Sequence, residues 1–239
     1  KADTISKTET DAVLAVFVKV FNEMQGFYGK QGYIAQFERD LSQRGIYEDF
    51  IKAFAQVSGI DWEHGREQII LEKINVAKAY AKVSGESAED HKNIVDAYRD
   101  DYKLSIEDFA IQVNDYIQQQ QPDFRLNFFV DEVGQYIADN VKLMTNLQTI
   151  AESLATKCKG QSRIFVTAQG DLDKILGRME NLTIEQDGQD VKVDFSKIQA
   201  RFKTRMKLTS QNVNKVIEER LLKKNEDGVK ITSGLYNEK

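Results

Sequence analysis

The sequence predicts an α/β fold in which a long helical part precedes a short parallel sheet. Three observations carry this. The 239 residues contain a single proline, Pro122, which suits long uninterrupted helices and argues against many turn-joined strands in a sandwich or barrel. Apolar residues recur at helical spacing through most of the chain before Pro122. Beyond it, two short apolar runs, Leu126 to Val130 and Ile164 to Val166, flank a helical stretch and read as one βαβ unit with parallel strands.

In chain order, residues 11–25 place Val13, Val16, Phe17, Val20, Phe21 and Met24 at helical spacing, and Gly26, Gly29 and Gly32 follow as a loop. Ile34, Phe37 and Leu41 mark a second helix over 34–44, stopped by Gly45, and a third over 47–57 is stopped by Gly59. A long polar helix is predicted over 62–83. Ser87-Ala88-Glu89-Asp90 and Ser105-Ile106-Glu107-Asp108 both read as capping boxes that start helices over 88–102 and 105–120. After the first apolar strand, Leu143, Leu147, Ile150 and Leu154 define a helix over 141–157, ended by Gly160. A helix over 171–181, a hairpin over 182–194 around Asp187-Gly188, a helix over 195–204, a third strand over 205–208 and an amphipathic helix over 210–224 complete the prediction. The tail from Asn225 is polar and reads as flexible.

Composition excludes several chemistries. One cysteine, Cys158, allows no intrachain disulfide and no cysteine metal site. His64 and His91 are the only histidines and stand far apart, so histidine-based zinc sites and Ser-His-Asp or Cys-His catalysis have little support. A net charge of -5 argues against a general nucleic-acid surface, though not against a local patch. No apolar run approaches the ~20 residues of a membrane span. Cys158 reads as a plain small residue, Trp62 as a staple-like aromatic at a helix start, both histidines as exposed, and the Tyr98-Arg99-Asp100-Asp101-Tyr102 cluster as a solvated helix end.

The stretch richest in chemistry is Leu126-Asn127-Phe128-Phe129-Val130-Asp131-Glu132. A buried strand ending in two adjacent acids is the Walker B pattern. Asp131 would hold Mg²⁺ through water beside nucleotide phosphates, and Glu132 would orient the water that attacks the γ-phosphate. Such acids belong at the carboxyl end of a parallel strand, where open α/β sheets bind ligands. The same residues also suit a strand that simply ends in solvent. Thr167 and Gln169 end the neighbouring strand and suit a sensor of the γ-phosphate, or equally a strand end bonded to its own loop. Arg201 and Arg205, four apart, share a helix face if the helix over 195–204 continues that far, and could then stabilise transition-state charge; a surface for carboxylates or DNA phosphate fits them as well.

A P-loop, G-x-x-x-x-G-K-[ST], is absent from these residues: Gly-Lys occurs only at Gly29-Lys30, Gln31 follows, and Met24 stands where the first glycine belongs. Either nucleotide is not bound, or the phosphate cradle lies upstream of Lys1. The opening Lys1-Ala2-Asp3, without methionine, favours an internal fragment of a longer protein.

The blocks VDEVGQYIADN, LMTNLQTIAESLATKC, FVTAQGDLD and DFSKIQARFKTRMKLTSQNVNKVIEERLL, with VFNEMQGF and YKLSIEDFA before them, closely resemble the large P-loop ATPase of the BREX phage-defence systems, the BrxC/PglY family. The resemblance implies a partial AAA+-like core. Residues 1–32 would carry the helix that follows the absent P-loop region, 33–121 a helical insertion, 122–224 the Walker B and sensor core, and 225–239 the tail. It implies Asp131 and Glu132 as Walker B acids, Thr167 and Gln169 as sensor-like, and Arg201 and Arg205 as arginine-finger candidates. ATP and Mg²⁺ would be cofactors of the parent, with none bound to these 239 residues, which would lack ATPase activity alone. The expected setting is cytoplasmic, without membrane contact. Partners would be other BREX defence proteins or further copies, with DNA involved indirectly. Two rival readings stand beside this one. The first is a non-catalytic interaction module with a degenerate ATPase fold, docking through the acidic helices between Trp62 and Tyr102. The second is direct DNA binding through Arg163, Arg201, Lys203, Arg205 and Lys207.

Overall fold

The computed structural model describes residues 12–131, 141–167, 183–186, 189–192, 204, 223–225 and 228. The chain divides into two compact units, 1–201 and 202–239. The second contributes only Thr204, 223–225 and Gly228 to the described residues. The predicted helices over 171–181, 195–204 and 210–224, the strand over 205–208 and the tail lie almost wholly outside them. Within the first unit the mixed α/β class holds: a mostly helical chain carries a two-stranded parallel sheet.

Helix α1 (Ala12–Met24) is apolar on nearly every side, so periodicity alone does not choose its inner face. The structure buries Leu14, Phe17, Val18 and Phe21, and leaves Val16, Val20 and Met24 about half exposed. The predicted stripe is therefore rotated. Packing decides it: Phe17 and Phe21 meet Phe109 edge-on, Phe21 meets Tyr116, and Phe17 leans on Phe128.

The next helices form a core of their own. Helices α2 (Gly32–Gln43) and α3 (Tyr47–Ser58) match the sequence reading within two residues, and Gly59 ends α3 in the left-handed conformation that glycine adopts without strain. The predicted long helix over 62–83 is instead two, α4 (Trp62–Glu67) and α5 (Ile69–Ser84), broken at Gln68. The reason is tertiary. Asp61 caps α4 by accepting from the His64 N–H, Trp62 is pulled into the core, and Gly65 sits where any β-carbon would strike the Phe54 ring. Ile34, Phe37, Leu41, Phe50, Phe54, Trp62, Ile69, Val76 and Tyr80 interlock there.

The predicted helix over 88–102 shrinks to α6 (Ile94–Asp101). The Ser87 hydroxyl accepts from the Glu89 N–H, two residues on, a turn that competes with a helical cap. The second capping box is real. Ser105 and Asp108 exchange side-chain and backbone hydrogen bonds at the start of α7 (Ile106–Gln118), and those bonds hold the Asp108 carboxyl below its ordinary pKa.

Past Pro122 come β1 (Leu126–Val130), α8 (Val141–Lys157) and β2 (Ser162–Val166). The strands pair in parallel, Leu126 opposite Ser162 through Val130 opposite Val166, so the βαβ unit stands as predicted. Leu147, Ile150 and Leu154 of α8 join Phe17, Phe21, Phe109, Val113 and Phe128 in a second core. A hairpin, β3 (Thr183–Gln186) and β4 (Gln189–Lys192), matches the predicted one around Asp187-Gly188.

Several single-residue expectations change. Trp62 is 2% exposed and donates its indole N–H to Glu38. His64 is exposed, but His91 is half-buried, pairs with Glu86 and packs edge-on against Tyr80. The cluster at 98–102 does end α6, with Arg99, Asp100 and Asp101 exposed, but its tyrosines turn inward: Tyr98 packs on Phe37 and donates to Asp40, and Tyr102 lies against the backbone of Gly32. Cys158 is buried, and that burial pushes its thiol up to about 11, which leaves it an inert small residue as expected.

Candidate functional site at the carboxyl end of the parallel sheet

Side chains alternate along a strand, so Leu126 and Phe128 turn inward while Asn127 and Phe129 face outward. Asp131 continues the outward row. On β2 the matching row is Arg163, Phe165 and Thr167. The ladder extends one bond past both strands: the Thr167 N–H donates to the Val130 carbonyl at 3.0 Å. That bond sets Thr167 beside Asp131, and the Thr167 hydroxyl donates to Asp131 Oδ1. Two residues 36 apart in sequence thus meet at the carboxyl ends of adjacent parallel strands, both exposed.

This meeting is the one part of the sequence-derived site that falls on described residues. Glu132, Gln169, Arg201 and Arg205 lie outside them, as do Lys203 and Lys207. A carboxylate and a hydroxyl are hard oxygen donors. They fit Mg²⁺, which binds through one or two carboxylates and keeps several waters while phosphates complete its shell. They do not hold an ion by themselves, and among the described residues no cluster of three or more His, Cys, Asp or Glu could do so.

No protein-family model matches the chain, and no solved structure is significantly similar to it.

Two features escape the sequence reading. Glu38 is fully buried and accepts four hydrogen bonds: from the Tyr28 N–H at 2.6 Å, Trp62 Nε1 at 2.7 Å, Arg66 Nη1 at 2.9 Å and the Tyr47 hydroxyl at 3.0 Å. The signal lay in the helix period, since an acid at 38 falls on the same face as Ile34, Phe37 and Leu41. Burial and the Glu38 carboxylate together raise the Tyr47 pKa well above the ordinary phenol range. The second feature is a cavity of about 340 Å³ lined by Gln36, Tyr98, Asp101, Tyr102, Lys103 and Gln112, none of which belongs to the sheet end.

The acidic helices hold many of their charges internally. Lys73 bonds both oxygens of Asp96 and keeps that carboxyl below its usual range, and Arg99 adds a second contact. Besides Lys78 and Lys82, α5 exposes three large apolar side chains: Ile70, Leu71 and Ile74 are all more than half accessible. Among the described residues no helix is long and apolar enough to cross a membrane.

Proposed function

We propose that this chain is the Walker B and sensor part of an AAA+-like ATPase of the BREX phage-defence kind, and that its phosphate cradle is supplied by a segment outside these 239 residues. The observation that carries the reading is the Asp131–Thr167 pair at the carboxyl ends of two adjacent parallel strands, where α/β sheets bind phosphate ligands. In this reading Asp131 holds Mg²⁺ through water, and Thr167 fixes the carboxylate's orientation and senses the γ-phosphate. Glu132 polarises the attacking water, Gln169 assists Thr167, and Arg201 and Arg205 act on transition-state charge. Mg²⁺ neutralises phosphate charge when bound; orienting the carboxylate and the water is the work of the protein. The cytoplasmic setting, and partners among BREX proteins or further copies, belong to the same proposal.

The test uses the longer protein with its P-loop. Glu132→Gln is expected to lower ATP hydrolysis by at least about 100-fold, the scale of a lost general base, while ATP binding persists. Hydrolysis at the unaltered rate would contradict the assignment. A second reading, a non-catalytic interaction module, draws on exposed Ile70, Leu71 and Ile74 on α5. It predicts that the longer protein has no G-x-x-x-x-G-K-[ST] and does not turn over ATP.

A further inference from the structure

The outward face of the β1–β2 sheet carries a constellation that neither the fold nor the ATPase reading uses. Its central rung is Phe129 opposite Phe165, with ring centroids 5.0 Å apart and planes 15° from parallel. Both rings are open to solvent, Phe129 at 76% exposure and Phe165 at 44%. Parallel sheets are ordinarily covered on both faces. Here the helical core packs on the Leu126 and Phe128 face, and the aromatic pair lies on the other.

Charge separates along the length of the sheet. The rung on the amino side is Asn127 opposite Arg163, both exposed. Arg125 immediately precedes β1, and Lys159 lies in the turn before β2. That turn is tied to β1 by the bond from the Leu126 N–H to the Gln161 carbonyl at 3.0 Å. Arg125, Lys159 and Arg163 are exposed, and none has a carboxylate within ion-pair distance among the described residues. Among the described residues Arg125 donates only to the Pro122 and Phe124 carbonyls. Three unneutralised cations at one end of a sheet are notable in a chain of net charge -5. At the other end stands the acid Asp131, bonded to Thr167.

We infer that this face binds a short single-stranded nucleic acid, with a base stacked on the Phe129–Phe165 pair and the adjoining phosphates at Arg125, Lys159 and Arg163. The chemistry selects single strands. In a duplex the bases are already stacked and cannot reach a ring on a sheet surface, whereas splayed bases stack on aromatic side chains and arginine tracks the backbone. The Asn127 amide supplies a donor and an acceptor for a base edge. A purely apolar partner would leave the three cations without counter-charge. This inference stands on the exposed face and does not depend on the ATPase reading.

Fluorescence anisotropy of the 239-residue chain with labelled oligo(dT) and oligo(rU) tests it, and the tighter of the two identifies DNA or RNA as the source. Binding is expected to follow salt with a log–log slope near about -2, the value for three phosphate contacts on a single strand. Phe129→Ala, at a site too exposed to carry the fold, should weaken binding by at least about fivefold, the loss of one stacked base. Arg163→Glu should flatten the salt slope by at least about 0.7. Far-UV circular dichroism unchanged in both variants separates loss of binding from loss of fold. No anisotropy change at low salt, salt-independent binding, or equal affinity in Phe129→Ala would overturn the inference. A dimer in light scattering that Phe129→Ala dissociates, with no oligonucleotide bound, would assign the face to a second copy and overturn it too.

Discussion

Replacing Glu38 with alanine is expected to destabilise the protein by about 3–5 kcal/mol, the scale of an orphaned buried ion pair. The carboxylate is inaccessible to solvent and is the common acceptor for Tyr28, Tyr47, Trp62 and Arg66, which come from the loop before α2 and from helices α3 and α4. Its removal leaves the Arg66 guanidinium, itself largely buried, without its carboxylate. It also strands three further donors in a core of aromatic rings, where each unmet group carries its own desolvation penalty. Glu38→Gln keeps the volume but loses the charge, and should retain most of the defect. The measurement is equilibrium denaturation followed by tryptophan fluorescence. Trp62 is the only tryptophan and bonds Glu38 directly, so the signal reports this cluster. A loss under about 1 kcal/mol, the worth of one ordinary hydrogen bond, would mean that the four-donor cluster does not form in solution.

The second large effect belongs to the other core. Phe109 is fully buried and holds three rings at once: Phe17 at 6.2 Å, Phe21 at 5.7 Å and Phe128 at 6.1 Å between centroids. Phe109→Ala removes the ring that joins α1, α7 and β1, and should cost about 3–5 kcal/mol, as large-to-small changes at well-packed aromatics do. In a chain of this size that lowers Tm by on the order of 10 °C. The control is Phe165→Ala, whose ring is 44% exposed and should shift Tm far less. Equal shifts from the two variants would show that Phe109 is not the keystone its contacts imply.

The contrast between these cores explains what the sequence made legible. The βαβ unit could be read because its signals are local: two apolar runs, the Leu147, Ile150 and Leu154 spacing, and glycine at the end of the helix. The Ser105–Asp108 box could be read for the same reason. What failed was decided by distant residues. Nothing near Gln68 announces a break, because the break serves Trp62, whose partner Glu38 is 24 positions earlier. The inner face of α1 is chosen by Phe109 and Phe128, which no periodicity within residues 12–24 contains. Tyr98 and Tyr102 looked solvated beside three charges, yet Phe37 and Gly32 draw them inward.

The candidate site divides in the same way. The strand ending in Asp131 and the strand ending before Thr167 were evident as separate patterns, and the register that brings their ends together follows from the parallel crossover. The hydrogen bond between the two residues did not follow from spacing. It depends on the Thr167 N–H reaching the Val130 carbonyl, one step past each strand. Roles for Glu132, Gln169, Arg201 and Arg205 rest on the resemblance and on strand-end logic.

The proposed function requires Asp131 and Thr167 to act as one unit in ATP hydrolysis, and a double-mutant cycle reads this out. Asp131→Asn, Thr167→Ala and the double variant are to be compared in the longer, P-loop-bearing protein that the proposed function requires, by steady-state ATPase rate at saturating Mg-ATP. Each single change is expected to lower the rate by on the order of 100-fold and the double variant to fall little further, because residues that work as a unit are not additive. Rates that multiply independently, or that stay at the wild-type level in both single variants, would contradict it.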